Sequence, residues 1–84
     1  MQKSVLAMIV GKRRDMAVEI QKVLTEGGCI IKTRLGIHDG VGDSCSDKGL
    51  IILELVGTTK EKKKLAKNLD ALYGVKTKLV ELEM

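Results

Sequence analysis

Residues 49–59 read GLIILELVGTT, and the fold turns on how that run is placed. Leu50, Ile51, Ile52, Leu53, Leu55 and Val56 put apolar side chains on both faces of a strand, with Glu54 alone breaking the series. A strand of that kind needs cover on both sides. Val5 to Val10 (VLAMIV) is a second such run, so the chain predicts two central strands.

Between the two runs the periodicity changes. Met16, Ile20, Val23 and Leu24 fall on one stripe at helical spacing, Asp15 stands where a cap is expected, and Gly27-Gly28 offers a stop tolerant of a left-handed turn. From Cys29 to His38 the pattern alternates. Cys29, Ile31, Thr33, Leu35 and Ile37 share one face, and Ile30, Lys32, Arg34, Gly36 and His38 the other, as in an edge strand with one dry side. Asp39 to Lys48 (DGVGDSCSDK) sustains neither period and predicts a loop. After the opening stretch, Thr58-Thr59-Lys60-Glu61 carries the T-x-x-E pattern of a capping box. Leu65, Leu69 and Leu72 form a second helical stripe, and Gly74 is the expected stop. Val75 to Glu83 closes the series as a strand, with Val75, Leu79, Val80 and Leu82 among charges.

The order βαββαβ over residues 1–84 predicts a single domain of the α+β class. Two right-handed βαβ units pack as a ferredoxin-like sandwich: a four-stranded antiparallel sheet with two helices on one face and the first and third strands central. The helices cover one side of the sheet. If Leu6, Met8 and Val10, with Leu50, Ile52 and Val56, are turned away from them, the result is an apolar patch larger than monomers ordinarily expose. A second copy of the chain is the simplest cover, by two-fold symmetry. A homo-oligomer, dimer or tetramer, is expected.

Composition narrows the function classes. A chain of 84 residues buries roughly 60–70% of its unfolded surface, and with no Phe, no Trp and Tyr73 as the one aromatic residue the core must be aliphatic. The formal charge of +4 attracts anions but is far from a polycation. The central strands lack the aromatics on which RNA-recognition motifs stack bases, which argues against a nucleic-acid partner. Gly11-Lys12-Arg13-Arg14 stands where a copper chaperone carries its paired cysteines, and the third strand lacks the Asn that an acylphosphatase-like site would use. Cys29 and Cys45 form neither a CxxC nor a paired framework, and no signal segment precedes them, so reduced thiols in a cytoplasmic protein are expected. The apolar run Val5 to Val10 is far shorter than the about 20 residues of a membrane span.

Three stretches, Arg34-Leu35-Gly36-Ile37, Gly49 to Thr58 (GLIILELVGT) and Leu69 to Lys78 (LDALYGVKTK), resemble the ACT-like regulatory domains. Within them the chain resembles the iron-only hydrogenase system regulator family, related in fold to the C-terminal domain of the nickel-responsive regulator. The resemblance implies a free-standing ACT-like regulatory domain that oligomerises and senses a small ligand without a DNA-binding segment of its own. His38 and the loop Asp39 to Lys48 depart from the family's usual continuation after the glycine.

Candidate sites follow from residue type and position. Arg34, Gly36 and His38 share the face assigned to the oligomer interface, and a glycine in mid-strand often marks close approach by a ligand or another backbone. With Leu50 and Ile52 they form the expected set for a small effector held at or near the subunit interface. His38, Asp39, Asp43 and Cys45 are good ligand types for Zn²⁺ or Ni²⁺ at a spacing that matches no established motif; a metal-binding sensor using His38 and Cys45 is the alternative. Lys60, Lys62, Lys63, Lys64 and Lys67 crowd the start of the second helix, where the macrodipole favours acids. Lys60, Lys63 and Lys64, with Lys12, Arg13 and Arg14, are the candidate anion-binding groups, and a basic nucleic-acid module is the third reading. One histidine, no Ser-His pairing and no phosphate loop leave no catalytic constellation, and the sequence names no cofactor. A non-enzyme is expected.

Overall fold

The two doubly apolar runs become neighbours at the centre of one antiparallel sheet. The computed structural model describes residues 1–38 and 48–84. Its elements are β1 (Gln2–Val10), α1 (Arg13–Glu26), β2 (Ile31–His38), β3 (Gly49–Leu55), α2 (Thr59–Asp70) and β4 (Val75–Glu83), with a 3₁₀ turn, Gly28–Ile30, leading into β2. Strand order is β2-β3-β1-β4, all pairs antiparallel, with Leu6 opposite both Leu53 and Leu79. This is the ferredoxin-like α+β arrangement with β1 and β3 inside.

Burial decides which side of each strand the helices cover. Ser4, Leu6, Met8 and Val10 of β1 and Leu53 and Leu55 of β3 are buried, together with Ile20 and Leu24 of α1 and Leu65 and Leu69 of α2. Leu6, Met8 and Val10 therefore face the helices, the reverse of the orientation expected for them. The bare side of β1 carries Lys3, Val5, Ala7 and Ile9. Their partners in register are Glu54, Ile52 and Leu50 of β3 and Leu82, Val80, Lys78 and Lys76 of β4. Leu50 and Ile52 lie on the bare side as expected, whereas Val56 falls beyond the end of β3 and donates its N–H to the Ile30 carbonyl (2.8 Å).

A bulge between Ile31 and Thr33 sets the faces of β2. Ile31 stands opposite Leu55, on the helix side, and Thr33 opposite Glu54, on the bare side. The unbroken alternation expected from Cys29 onward is thus interrupted, and Cys29 itself belongs to the 3₁₀ turn. Past the bulge, Arg34 and Gly36 pair with Leu53 and Ile51, which puts them on the helix side.

Helix α1 begins two residues before Asp15. Lys12 is its N-cap without a side-chain bond, and Asp15 lies in the first turn, where its charge meets the positive end of the macrodipole. Gly27 ends the helix at φ −93°, so no left-handed turn is used. Its need is space, because a Cβ there would come within 2.9 Å of Leu65 Cδ1. Gly74, at φ 74°, does take the left-handed conformation expected after α2.

The capping box at α2 forms as its pattern predicts. Glu61 N–H donates to Thr58 Oγ1 (3.1 Å), and Thr58 N–H donates to Glu61 Oε1 (3.0 Å). Thr58→Ala should destabilise the fold by about 1 kcal/mol in urea unfolding. The Thr58 backbone N–H first, and the Thr58 hydroxyl beside the carboxyl second, hold the Glu61 carboxyl below its ordinary value of 4.5. Because the folded value is the lower one, the carboxylate's contribution is complete above pH 4.5 and is lost as pH falls through the folded value. Glu61→Gln should flatten that acid limb of the stability profile. No helix among the described residues is long and apolar enough to cross a membrane.

Candidate functional site

The expected effector set divides across the sheet. Leu50 and Ile52 lie on the bare face, Arg34 and Gly36 on the helix side, and His38 ends β2 opposite Gly49. No single surface holds all five. The bulge in β2 is the cause, since it sets Arg34 and Gly36 against the buried side of β3.

On the helix side Arg34 and Gly36 line a cleft of about 340 Å³ that α1 and the sheet enclose, with Val10, Ile51 and Gly49 below and Arg13, Ala17, Ile20 and Gln21 above. Arg34 Nη1 donates to Gln21 Oε1 (2.8 Å), and Gln21 Nε2 donates to Thr25 Oγ1 (3.2 Å). Gln21 and Thr25 are one helical turn apart, so α1 presents the amide to the strand in a fixed pose. Arg13 comes from the basic segment after β1 and Arg34 from the middle of β2, so the cleft unites two groups that the sequence gives no reason to join.

The remaining basic residues do not gather. Val10 pairs with Gly49 at one end of the sheet and Ser4 with Leu55 at the other. Helices α1 and α2 therefore start at opposite ends, which separates Lys12, Arg13 and Arg14 from Lys60, Lys63 and Lys64. Lys62 leaves the exposed run altogether. It is 6% exposed, and its Nζ donates to Ser4 Oγ (2.6 Å); the Ser4 hydroxyl in turn donates to Glu81, which also accepts from Gln2 Nε2 (3.1 Å). The spacing held the signal: Lys62 precedes Leu65 by three and Leu69 by seven, on the buried stripe. A serine hydroxyl beside a lysine amine is nucleophile chemistry in an open cleft. Here Ser4 is 1% exposed, so the pair lies inside the protein and not in an open cleft.

Cys45, Asp39 and Asp43 of the metal alternative, and most of the loop expected over Asp39 to Lys48, lie outside the described residues. Among the described residues no three His, Cys, Asp or Glu side chains gather as a metal site. Cys29 is a free, exposed thiol in a second cleft of about 280 Å³ between the end of α1 and the start of α2.

The bare face of the sheet is the other feature. Ile9 (60% exposed), Leu35 (54%) and Leu82 (57%) stand out from it, with Val5, Ala7, Leu50, Ile52 and Val80 half-buried around them. In register these side chains run diagonally, from Leu82 and Val80 at one corner to Leu50 and Leu35 at the other. Lys76 and Lys78 flank the diagonal on one side. Glu54 flanks it on the other, paired with Lys3 (3.2 Å) and Lys32 (4.0 Å).

Solved structures similar to this one share its whole architecture. An uncharacterized protein from Thermotoga maritima aligns over 99% of this chain and 100% of its own, with a TM-score of 0.81 and 21% identity. A PII-like signalling protein from Thermus thermophilus aligns over 98% of this chain and 88% of its own, with a TM-score of 0.64 and 10% identity. The nitrogen regulatory PII-like protein of Thiomonas intermedia, solved bound to ADP, AMP and bicarbonate, aligns over 100% and 93%, with a TM-score of 0.61 and 13% identity. No protein-family model and no curated protein matches the sequence. At these identities the likeness is one of fold, and the chain has the ferredoxin-like α+β fold that small signalling proteins also use.

Proposed function

We propose that the chain is a small non-catalytic sensing domain that works as a homo-oligomer, paired through the bare face of its sheet, with a small effector held in the cleft on the opposite side. The apolar diagonal on that face carries the reading. Each aliphatic side chain moved from water into an interface contributes roughly 1.5–3 kcal/mol, and Ile9, Leu35 and Leu82 are more than half exposed without a partner chain. A second copy offers the same diagonal, so one two-fold axis along it covers both. The fold shared with PII-like signalling proteins, one of them solved with nucleotides and bicarbonate, supports a sensing rather than a catalytic role. The sequence resemblance to iron-only hydrogenase system regulators supports the same class and, within this proposal, names the system served. Cysteines outside any paired framework support a cytoplasmic setting.

The rim of the face also separates this reading from a nucleic-acid module. Among the described residues Lys3, Lys32, Lys76 and Lys78 outnumber Glu54 there, so two copies brought together repel at these edges, and added salt should tighten the pair by screening. Nucleic-acid binding would weaken steeply with salt instead. Native mass spectrometry of freshly purified protein, followed by sedimentation at low and high salt, tests the proposal. A dimer or tetramer that tightens with salt is expected, and a monomer at every concentration overturns it.

A further inference from the structure

We infer that the cleft between α1 and the sheet is a binding site for a small organic anion, its apolar body against Val10, Ile20 and Ile51 and its carboxylate or phosphate oxygens held by Arg34 and Arg13. The inference rests on the sensing reading and names the class of ligand sensed. Three independent features of the cleft point to it.

The first is charge. Among the described residues, two arginines and no acid line the cleft. Gln21 fixes one of the five N–H donors of Arg34, which orients the planar fork before any ligand arrives. Arg13 brings a second guanidinium, with its own set of N–H donors, to the same cleft. The second feature is the apolar wall that Val10, Ala17, Ile20 and Ile51 provide, in a volume of about 340 Å³ at the lower end of small-molecule sites. That combination suits a compact molecule with one charged end.

The third feature is Gly36. Among the described residues only Gly57 and Gly74 have positive φ, so the backbone at Gly36 is one that any residue adopts. A Cβ built there meets nothing within 4 Å, so packing does not require glycine either. Glycine in mid-strand weakens a sheet, and here its one consequence is a bare wall in the cleft. The strand gives up stability where a ligand would need room.

Phenylacetate, phenyl phosphate and benzyl alcohol share an aromatic body and differ in charge. Titrated into ¹⁵N-labelled protein, at least one of the two anions should shift the amides of Gly36, Gln21 and Ile51 and the side-chain Nε of Arg34. Benzyl alcohol should bind at least tenfold more weakly, and the tighter anion identifies the preferred oxyanion. Gly36→Val and Arg34→Gln should each weaken anion binding tenfold or more while the fold keeps its melting temperature within a few degrees. Equal binding of benzyl alcohol, shifts confined to Ile9, Leu50 and Val80, or no anion binding tighter than a Kd of about 10 mM would each overturn the inference. The same samples report the assembly. A dimer with an empty cleft overturns the cleft assignment alone, and a monomer overturns the homo-oligomer whichever probe binds.

Discussion

A variant carrying Ile9→Lys and Ile52→Lys is expected to run as a monomer in size-exclusion chromatography with light scattering, at concentrations where the wild-type chain is a dimer or larger. Ile9 stands beside Leu50, and Ile52 lies between Ala7 and Leu35, so both substitutions strike the middle of the apolar diagonal. A symmetric pair would carry four substituted side chains. At roughly 1.5–3 kcal/mol for each isoleucine withdrawn, the four together cost about 6–12 kcal/mol, comparable to the about 8 kcal/mol that holds a micromolar complex, and the four lysines add like-charge repulsion. The protomer should keep its fold, since neither side chain faces the helices. An unchanged oligomer in this variant would mean that copies meet elsewhere.

Ser4→Ala is expected to destabilise the fold by about 2–3 kcal/mol, because it leaves a buried lysine amine without its acceptor. Lys62→Met should cost about 1 kcal/mol or less, since it keeps the length of the apolar stem, removes the charge and leaves Ser4 bonded to Glu81. The order of the two matters more than either value. In a domain of this size the Ser4→Ala loss corresponds to a melting temperature lower by about 10 °C or more. If Lys62→Met proves the more damaging, the lysine serves the fold by some means other than its bond to Ser4.

The topology was legible because both central strands announce themselves as apolar runs and the T-x-x-E pattern marks the start of α2 with its bonds in place. The facing of those strands was harder, since a run apolar on both sides carries little alternation. The charges held the clue. Glu54 shares its face with Leu50 and Ile52, and Lys3 shares its face with Val5, Ala7 and Ile9, so both mark the side away from the helices. The expectation that Leu6, Met8 and Val10 turn away from the helices places Lys3 on the covered side of β1, where its charge would be buried. The bulge in β2 left no signature in the sequence that alternation could register, and with it went the placement of Arg34 and Gly36. Their meeting with Arg13 depends on how α1 crosses the sheet, a tertiary relation that no local pattern encodes. Lys62 was legible by its spacing, and the crowd of lysines around it obscured that.

A second copy of this chain is expected to cover the bare sheet face. Isotope-filtered NOE spectroscopy on a mixture of ¹³C-methyl-labelled and unlabelled protein tests it directly, because it reports only contacts between copies. Intermolecular contacts at the methyl groups of Val5, Ile9, Ile52 and Val80, and none at Leu24 or Leu69 in the core, are the predicted result. A spectrum without intermolecular contacts, or with contacts only at exposed helix residues such as Val18, would mean that copies of the chain do not meet through this face.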